Sequence, residues 1–233
     1  MRAFPEVHDE KWPSEVAFLP YIGDYYAEGM LGHQVLLLGE SHYRREGFTD
    51  SPMITRPFTR DTFSDMGTLE RRPEDGRFFL SLDRMLLGST DIAPSKAAEA
   101  WRKVAFVNLS QEFAGTAAAQ RPTRAQLRQG GDILVRSILP ILRPSIVLVL
   151  GRTAWKGLEH GRAADDHSPY IATRVNRSGG GRRYIEQRDI WRLDYDGGSA
   201  WMTWVYHPSW NVDSWEDRAG ALQHLLSIDR SQV

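Results

Sequence analysis

The sequence has 233 residues, of which 41% are hydrophobic, and its formal net charge is −1. A chain of this length can bury a sizeable core, and we expect a single domain over residues 1–233. The absence of cysteine excludes disulfides, thiolate nucleophiles and cysteine-held zinc or iron–sulfur centres. No apolar run approaches the roughly 20 residues that span a bilayer, so we expect a soluble, cytoplasmic protein with no membrane partner.

The near-neutral total does not by itself indicate a nucleic-acid partner, because neutralising phosphates requires a basic surplus somewhere on the surface. Residues 174–192 nevertheless carry six arginines against two acidic residues. The six are Arg174, Arg177, Arg182, Arg183, Arg188 and Arg192. Arginine suits bidentate contacts with phosphate, although a GC-rich genome produces the same bias.

The N-terminal part of the chain has weak local signals. Residues 1–13 are expected to form an irregular polar arm, followed by a helical turn that Ser14 begins and Pro20 ends. The aromatic-rich segment 21–30 predicts a second helix. Neither helix has a strong apolar periodicity.

Strands and helices alternate along the rest of the chain. Short, uniformly apolar runs predict buried strands at 35–38, 104–107, 146–150 and 202–206. Helices are predicted at 78–87, 95–102, 122–141, 153–158 and 215–228, with Gly88 ending the first and Pro140 bending the third. Thr153 is the expected N-cap of the fourth helix.

Two segments interrupt this alternation. Residues 44–76 are rich in Pro, Gly, Thr, Asp and Arg and predict a long ordered loop, a kind of segment that is usually functional. An Arg- and Gly-rich hairpin insertion is expected over about 165–200, turning at residues 179–181. The alternation predicts an α/β fold with three α/β/α layers and a central, mainly parallel four-stranded sheet.

The first predicted strand ends in a turn that is rich in reactive groups. Gly39 is followed by the carboxylate of Glu40, the hydroxyl of Ser41, the imidazole of His42 and the phenol of Tyr43. Polar residues on loops that a rigid scaffold positions are disproportionately functional. The alternative is a solvated turn in which Ser41 caps a helix.

The last predicted strand ends in a second such turn, residues 207–210. A rigid Pro208 stands next to His207, and Ser209 and Trp210 follow. This place at a strand end favours a functional histidine over a structural one.

Two further residues are candidates for contact with a ligand. Asn108 ends the second strand and can offer a donor and an acceptor to a planar ligand, or it can form an Asx turn. Phe58, in the long loop, can stack on a ring, although phenylalanine is more often a core residue.

Metal binding and nucleophilic hydrolysis have weaker support. The seven histidines are scattered, and no pair has metal-ligand spacing beside a carboxylate on a helix, so we expect no metal and no cofactor. A nucleophilic pair of Ser41 and His207 lacks the G-x-S-x-G elbow of α/β-hydrolases.

Taken in order, these pieces resemble the uracil-DNA glycosylase superfamily. The most specific stretch is 142–154, LRPSIVLVLGRTA, which is similar to a strand and turn of the bacterial and archaeal branches. Gly39-Glu40 followed by Tyr43 resembles the first motif, residues 107–109 the base-reading strand end, and residues 207–209 the last motif. The resemblance spans about residues 35–228.

The resemblance implies a role for each matching position. Glu40 would position water or support the cationic sugar, and His207 would stabilise the departing base anion. Asn108 would read the edge of a flipped base, Phe58 would stack on it, and Tyr43 would crowd its 5-position. Gly39, Ser41 and His42 would belong to the same substrate-binding site. Two groups would contact DNA, namely Pro208, Ser209 and Trp210 as a minor-groove loop, and Arg182 and Arg183 in the insertion.

Two positions depart from the family pattern. His42 stands where the first motif usually has proline, and Ser41 stands where Asp, Asn, Ala or Gln is common. The branch with the most similar third strand carries an iron–sulfur cluster, which a chain without cysteine cannot hold.

Three functions are therefore weighed. The first is a monomeric DNA glycosylase that removes uracil, another altered base or a modified phage base from single- or double-stranded DNA. The second is a DNA-binding relative that has lost catalysis. The third is an esterase-like or metal-dependent hydrolase that uses Glu40 and His42.

Overall fold

The computed structural model describes most of the chain. The described residues are 11–44, 55–67, 76–116, 120–158, 163–164, 170–176, 182–210 and 213–228. For residues 163–164, 170–176 and 182–186 the description covers the backbone only.

The described strands form one large mixed sheet and one small one. The strands are β1 (Tyr21–Ile22), β2 (Val35–Gly39), β3 (Val104–Asn108), β4 (Ile146–Leu150), β5 (Ala163–Ala164), β6 (Tyr170–Asn176), β7 (Arg182–Arg188), β8 (Trp191–Tyr195) and β9 (Gly198–Val205). The large sheet has the order β1-β3-β2-β4-β9-β8-β5, and β6 pairs with β7 alone.

The four predicted strands are the parallel centre of the large sheet. Strands β3, β2, β4 and β9 are mutually parallel neighbours. The register aligns Val35 with both Val104 and Ile146. The predicted positions are confirmed within one residue, except that β9 begins four residues earlier than expected.

The expectation of four strands is wrong, because three short strands extend the sheet by antiparallel pairing. One of them, β1, replaces the start of the helix predicted at 21–30. Tyr21 pairs with Phe106 and Ile22 with Ala105. The edge of β3 has backbone groups that need partners, and this pairing outweighs a weak local preference for helix.

The apolar runs of the parallel strands are buried on both faces. Leu36 and Leu38 belong to one apolar cluster, whereas Val35 and Leu37 belong to the other. Successive side chains of a strand point to opposite faces, which explains why these strands are apolar throughout instead of alternating.

Seven α-helices are described in these ranges. They are α1 (Phe58–Phe63), α2 (Gly76–Leu87), α3 (Pro94–Arg102), α4 (Arg124–Ile133), α5 (Leu139–Leu142), α6 (Arg152–Gly157) and α7 (Trp215–Leu226). A 3₁₀ turn, Ser64–Gly67, follows α1, and a π-helical segment, Leu134–Ile138, joins α4 to α5. Helix α1 lies within the segment that was expected to have little regular structure.

The ends of the helices follow local chemistry. Thr123 and Gln126 form a capping box at the start of α4, as do Ser214 and Asp217 at α7. Gly88, with φ 61°, follows the last residue of α2, as predicted. The expected N-cap at Thr153 is wrong, because α6 starts at Arg152 and its N-cap is Gly151.

The predicted insertion divides into two parts. Strands β6 and β7 pair antiparallel on either side of residues 177–181, which lie outside the described residues. Residues 191–200 belong to strands β8 and β9 of the large sheet or to the turn between them. None of the helices in the described ranges has the length and apolarity needed to cross a membrane.

Candidate functional site

The strand order creates a crevice at the carboxyl ends of the parallel strands. From β2 the chain moves to β3 on one side and later to β4 on the other side. Ligands of open α/β sheets bind outside the carboxyl ends of the strands where the order reverses in this way. Glu40 follows β2, Asn108 ends β3, Gly151 follows β4, and His207 lies two residues beyond β9.

Glu40 is a buried carboxylate with a cationic partner. Its exposed fraction is 5%, and Nη1 of Arg121 donates to Oε1 at 2.8 Å and to Oε2 at 3.0 Å. The backbone is fixed too, since the Ser110 N–H donates to the Glu40 carbonyl at 3.0 Å. The carboxylate therefore has a defined orientation.

Asn108 lies against the backbone of Gly39 at the ends of their paired strands. A Cβ added to Gly39 would overlap Oδ1 of Asn108 and lie 2.8 Å from the Phe106 ring. The absence of a side chain at Gly39 thus makes room for the amide. Asn108 is buried, and its side chain makes no hydrogen bond within the described part of the chain.

His207 is a neutral, half-buried imidazole. The Ser209 N–H donates to Nδ1 at 3.3 Å, so the ring proton of the neutral form is on Nε2. Burial, together with the positive charges of Arg121 and Arg218, lowers the pKa of His207 to about 4. The Phe78 ring lies 5.4 Å from the imidazole, centroid to centroid.

Gly151 lies close to both the first and the last turn. Its φ is 137°, which favours glycine, and its Cβ position is open towards the crevice. A methyl group placed there would lie 3.8 Å from Cβ of His207 and 3.9 Å from Oε2 of Glu40. The Glu40 carboxylate and the Cβ atom of His207 therefore both lie within 4 Å of one point beside Gly151.

Arg218 of helix α7 holds the last turn, residues 207–210, in place. Arg218 donates from Nε to the Tyr206 carbonyl at 3.3 Å and from Nη2 to the Trp210 carbonyl at 2.7 Å. These two carbonyls lie on either side of His207. The contacts fix the position from which the imidazole faces the crevice.

An arginine–aspartate group completes this support. The Asp213 carboxylate lies 3.0 Å from Nη2 of Arg188 and 2.9 Å from Nη2 of Arg218, and it accepts the Tyr206 N–H at 3.2 Å. Asp213 and Arg188 are fully buried. Arg188 is the last residue of β7, so the hairpin β6–β7 is anchored beside the last turn.

The rim of the crevice is aromatic and cationic. Trp210 is 52% exposed, and the Arg121 guanidinium lies 5.2 Å from its ring centroid. Pro208 is buried and Ser209 is exposed. Arg121 thus contacts both Glu40 of the first turn and Trp210 of the last.

His42 belongs to an aromatic cluster with Phe18, Phe58 and Phe113. Its ring lies 5.0 Å from Phe18 and 4.8 Å from Phe58, in edge-to-face geometry. The Phe58 ring also lies 5.2 Å from that of Phe113. The Nε2 atom of His42 is 2.8 Å from the Thr59 hydroxyl, and burial lowers the pKa of His42 to about 3.

Two other residues of the first turn face different surroundings. Oγ of Ser41 is buried and has no hydrogen-bond partner among the described residues. Tyr43 is half-buried, and burial raises the pKa of its phenol, with Arg121 opposing this shift and Glu40 adding to it. Arg182 and Arg183 lie in β7, but their side chains are outside the described residues.

The structure adds residues that sequence reasoning did not single out. Arg121 is the most important, and it lies in a loop with no periodic pattern. Arg218 and Asp213 flank the start of a predicted helix, and only their separation from the last turn by a few residues hinted at contact. Phe113, five residues beyond Asn108, had no distinguishing signal.

Other candidate sites are separate from this crevice. A pocket of about 200 Å³ lies between α4, α6 and β8, lined by Arg128, Asp132 and Arg136 among others, and includes none of the predicted site residues. In the ranges that the structure describes, no group of three or more His, Asp and Glu is arranged to hold a metal ion.

A scan against protein-family models finds no match, and a search of curated proteins finds no similar sequence.

Proposed function

We propose that the protein is a DNA glycosylase that hydrolyses the N-glycosidic bond of uracil or of another altered or modified base. One observation carries the proposal. Glu40, Asn108 and His207 come from three strands that are separate in sequence, yet they converge on the crevice at the reversal of strand order.

The chemistry of this bond suits the three groups. Cleavage passes through an oxocarbenium-like sugar with positive charge, while negative charge develops on the departing base. A fixed carboxylate stabilises the first charge and a hydrogen-bond donor stabilises the second. Glu40 takes the carboxylate role, either beside the sugar or beside the attacking water.

His207 acts in this scheme as a neutral donor. With its pKa at about 4, the imidazole is uncharged at neutral pH, and its Nε2–H can donate to an oxygen of the leaving base. Arg218 acts as a positioning residue, because it holds the backbone on both sides of His207. The proton of the attacking water passes to Glu40 or to solvent.

Base recognition is assigned to Asn108, Ser41 and Phe58. The Asn108 amide can pair with the edge of a base, and the buried Oγ of Ser41 offers a further hydrogen bond. Phe58, a half-buried member of the aromatic cluster, is the stacking candidate. The proposal also includes the three-layer α/β/α arrangement, which the two apolar clusters on opposite faces of the strands support.

Base release from oligonucleotides tests the proposal. The panel contains uracil, hypoxanthine, xanthine and 5-substituted uracils in single and double strands, and abasic sites are scored by alkaline cleavage. Glu40→Gln and His207→Ala should each lower the rate by about 100- to 1,000-fold, the cost of removing one preorganised electrostatic group. Both variants should still bind DNA.

Glu99→Gln is the matched control. Glu99 also has a cationic partner, Lys103 at 2.7 Å, but it lies on α3 and is 63% exposed. This variant should keep the wild-type rate. No release from any substrate by the wild-type protein at high concentration would refute catalysis, and salt-sensitive DNA binding without release would identify a non-catalytic DNA-binding protein.

A further inference from the structure

Arg121 occupies a bridging position at the mouth of the crevice. Its side chain is 38% exposed, so solvent and ligands reach it, whereas its partner Glu40 is buried. One guanidinium nitrogen, Nη1, makes both contacts with the carboxylate. The ring of Trp210 lies 5.2 Å away.

Most N–H donors of the Arg121 guanidinium make no hydrogen bond within the described residues. Arginine presents five N–H donors in a planar fork, and only those of Nη1 contact Glu40. Nε and Nη2 of Arg121 make no hydrogen bond within the described part of the chain. Arg218, by contrast, uses Nε, Nη1 and Nη2 on protein oxygens.

The negative charge of Glu40 would repel the phosphates of a bound strand, and Arg121 can offset this repulsion. A nucleic-acid strand that delivers a base to this crevice brings phosphates close to a buried carboxylate, and like charges repel. Arg121 offsets the carboxylate with one nitrogen and keeps a planar pair of donors, Nε and Nη2, which matches two phosphate oxygens.

From these contacts we propose that Arg121 binds the backbone phosphate next to the flipped nucleotide while it orients Glu40. The inference rests on the proposed function, because it takes a nucleic acid as the ligand. Arg121 thereby couples strand binding to the placement of the carboxylate, and the Trp210 ring 5.2 Å away supports the guanidinium in this position.

Binding to an abasic-site analogue tests this without requiring catalysis. The probe is an oligonucleotide with one tetrahydrofuran residue, titrated by fluorescence anisotropy over a series of salt concentrations. Arg121→Gln should weaken binding by about 10- to 100-fold, as expected for lost hydrogen bonds to a charged group. The slope of log K against log salt should fall by about one.

Replacing one phosphate at a time with an uncharged linkage identifies the phosphate that Arg121 contacts. A single methylphosphonate is moved through the positions beside the tetrahydrofuran. At one position it should weaken the wild type by about the same factor as Arg121→Gln does, and it should have no further effect on that variant. Arg121→Lys, which keeps the charge but loses the fork, should give an intermediate loss.

Lys103→Gln is the matched control. Lys103 is also a cationic residue paired with a carboxylate, Glu99 at 2.7 Å, and its exposure of 30% is similar, but it directly follows α3. This variant should behave as the wild type. A methylphosphonate effect that is equal in the wild type and Arg121→Gln at every position would overturn the inference.

The experiments distinguish a failure of the proposed glycosylase activity from a failure of the proposed phosphate contact of Arg121. If the wild type shows the Arg121-dependent phosphate contact but releases no base, catalysis is refuted and the phosphate site stands. If the wild type releases base while Arg121→Gln keeps the wild-type salt slope, the phosphate site is refuted and catalysis stands. If the wild type binds no oligonucleotide, both proposals are wrong.

Discussion

Two arginine–carboxylate sites flank the last turn, and they differ in their access to water. Asp213, with Arg188 and Arg218, is sealed, because the side chains are 0% to 5% exposed. Glu40 is equally buried, but its partner Arg121 is 38% exposed. The same pair of residue types therefore occurs once as an internal group and once at an open rim.

This difference in solvent exposure determines what each site can do. Asp213 is fully buried and receives contacts from two buried arginines and a backbone N–H, so the sealed group holds the turn and is closed to a ligand from solvent. Arg121 has two nitrogens that make no described contact, so the open pair has capacity for a ligand. Breaking each pair should therefore affect different properties.

The largest expected effect is on stability, at the sealed group. Asp213→Asn leaves two buried arginines without a countercharge and should lower the free energy of unfolding by about 3 to 5 kcal/mol. Glu40→Gln should lower it by about 1 kcal/mol or less, because water can solvate Arg121. Denaturant unfolding measures both, and equal losses would contradict the distinction.

The next effect concerns pH, because His207 lies between the two sites. Its pKa of about 4 is below the unfolded value of about 6.5, so between these values the unfolded chain binds more protons than the folded one. Stability should therefore be full above pH 6.5 and fall as the pH decreases towards 4, by about 3 kcal/mol from this residue.

Unfolding measured from pH 8 to pH 4 tests this window. His207→Gln should flatten the pH dependence in part. His42→Gln should do the same, since the pKa of His42 is also lowered, to about 3. A profile for His207→Gln identical to that of the wild type would refute this contribution.

An NMR titration of His207 then compares the effects of Arg121 and Arg192 on its pKa. Arg121→Gln should raise the pKa of His207, because it removes the largest nearby charge effect, yet the value should stay below 6.5 since burial is the main cause. Arg192→Gln should leave it unchanged.

The smallest effect is expected at the rim itself. Trp210→Ala removes the ring beside Arg121, and an exposed cation–π contact contributes about 0.5 to 1 kcal/mol. Stability should change by no more than that, while affinity for single-stranded DNA should fall if Trp210 stacks on a base. A loss of stability comparable to that of Asp213→Asn would mean that Trp210 is a structural residue.

The parallel strands could be predicted because their signal is local. Five-residue runs such as Ile146–Leu150 are buried on both faces, and this burial is written in each run as continuous apolar sequence. The convergence of Glu40, Asn108 and His207 followed from the same strands, since parallel strands bring their carboxyl ends to one edge.

The remaining features depend on contacts between distant segments. Arg121 is 81 residues from Glu40 in sequence, and no local pattern indicates that pairing. Strand β1 is two residues long and exists because the edge of β3 is available to it. His42 was considered as a substrate contact, but its partners Phe18 and Thr59 come from outside its own turn, so its burial was not visible in the sequence.

The exposure of Trp210 gives the protein a built-in optical reporter. The other seven tryptophans are buried or half-buried, so a soluble collisional quencher would select the emission of Trp210. The Arg121 guanidinium lies over this indole, and any ligand that moves the arginine would change the indole's surroundings and its fluorescence. Occupancy of the crevice can therefore be followed in the unlabelled protein, in real time and before any product is scored.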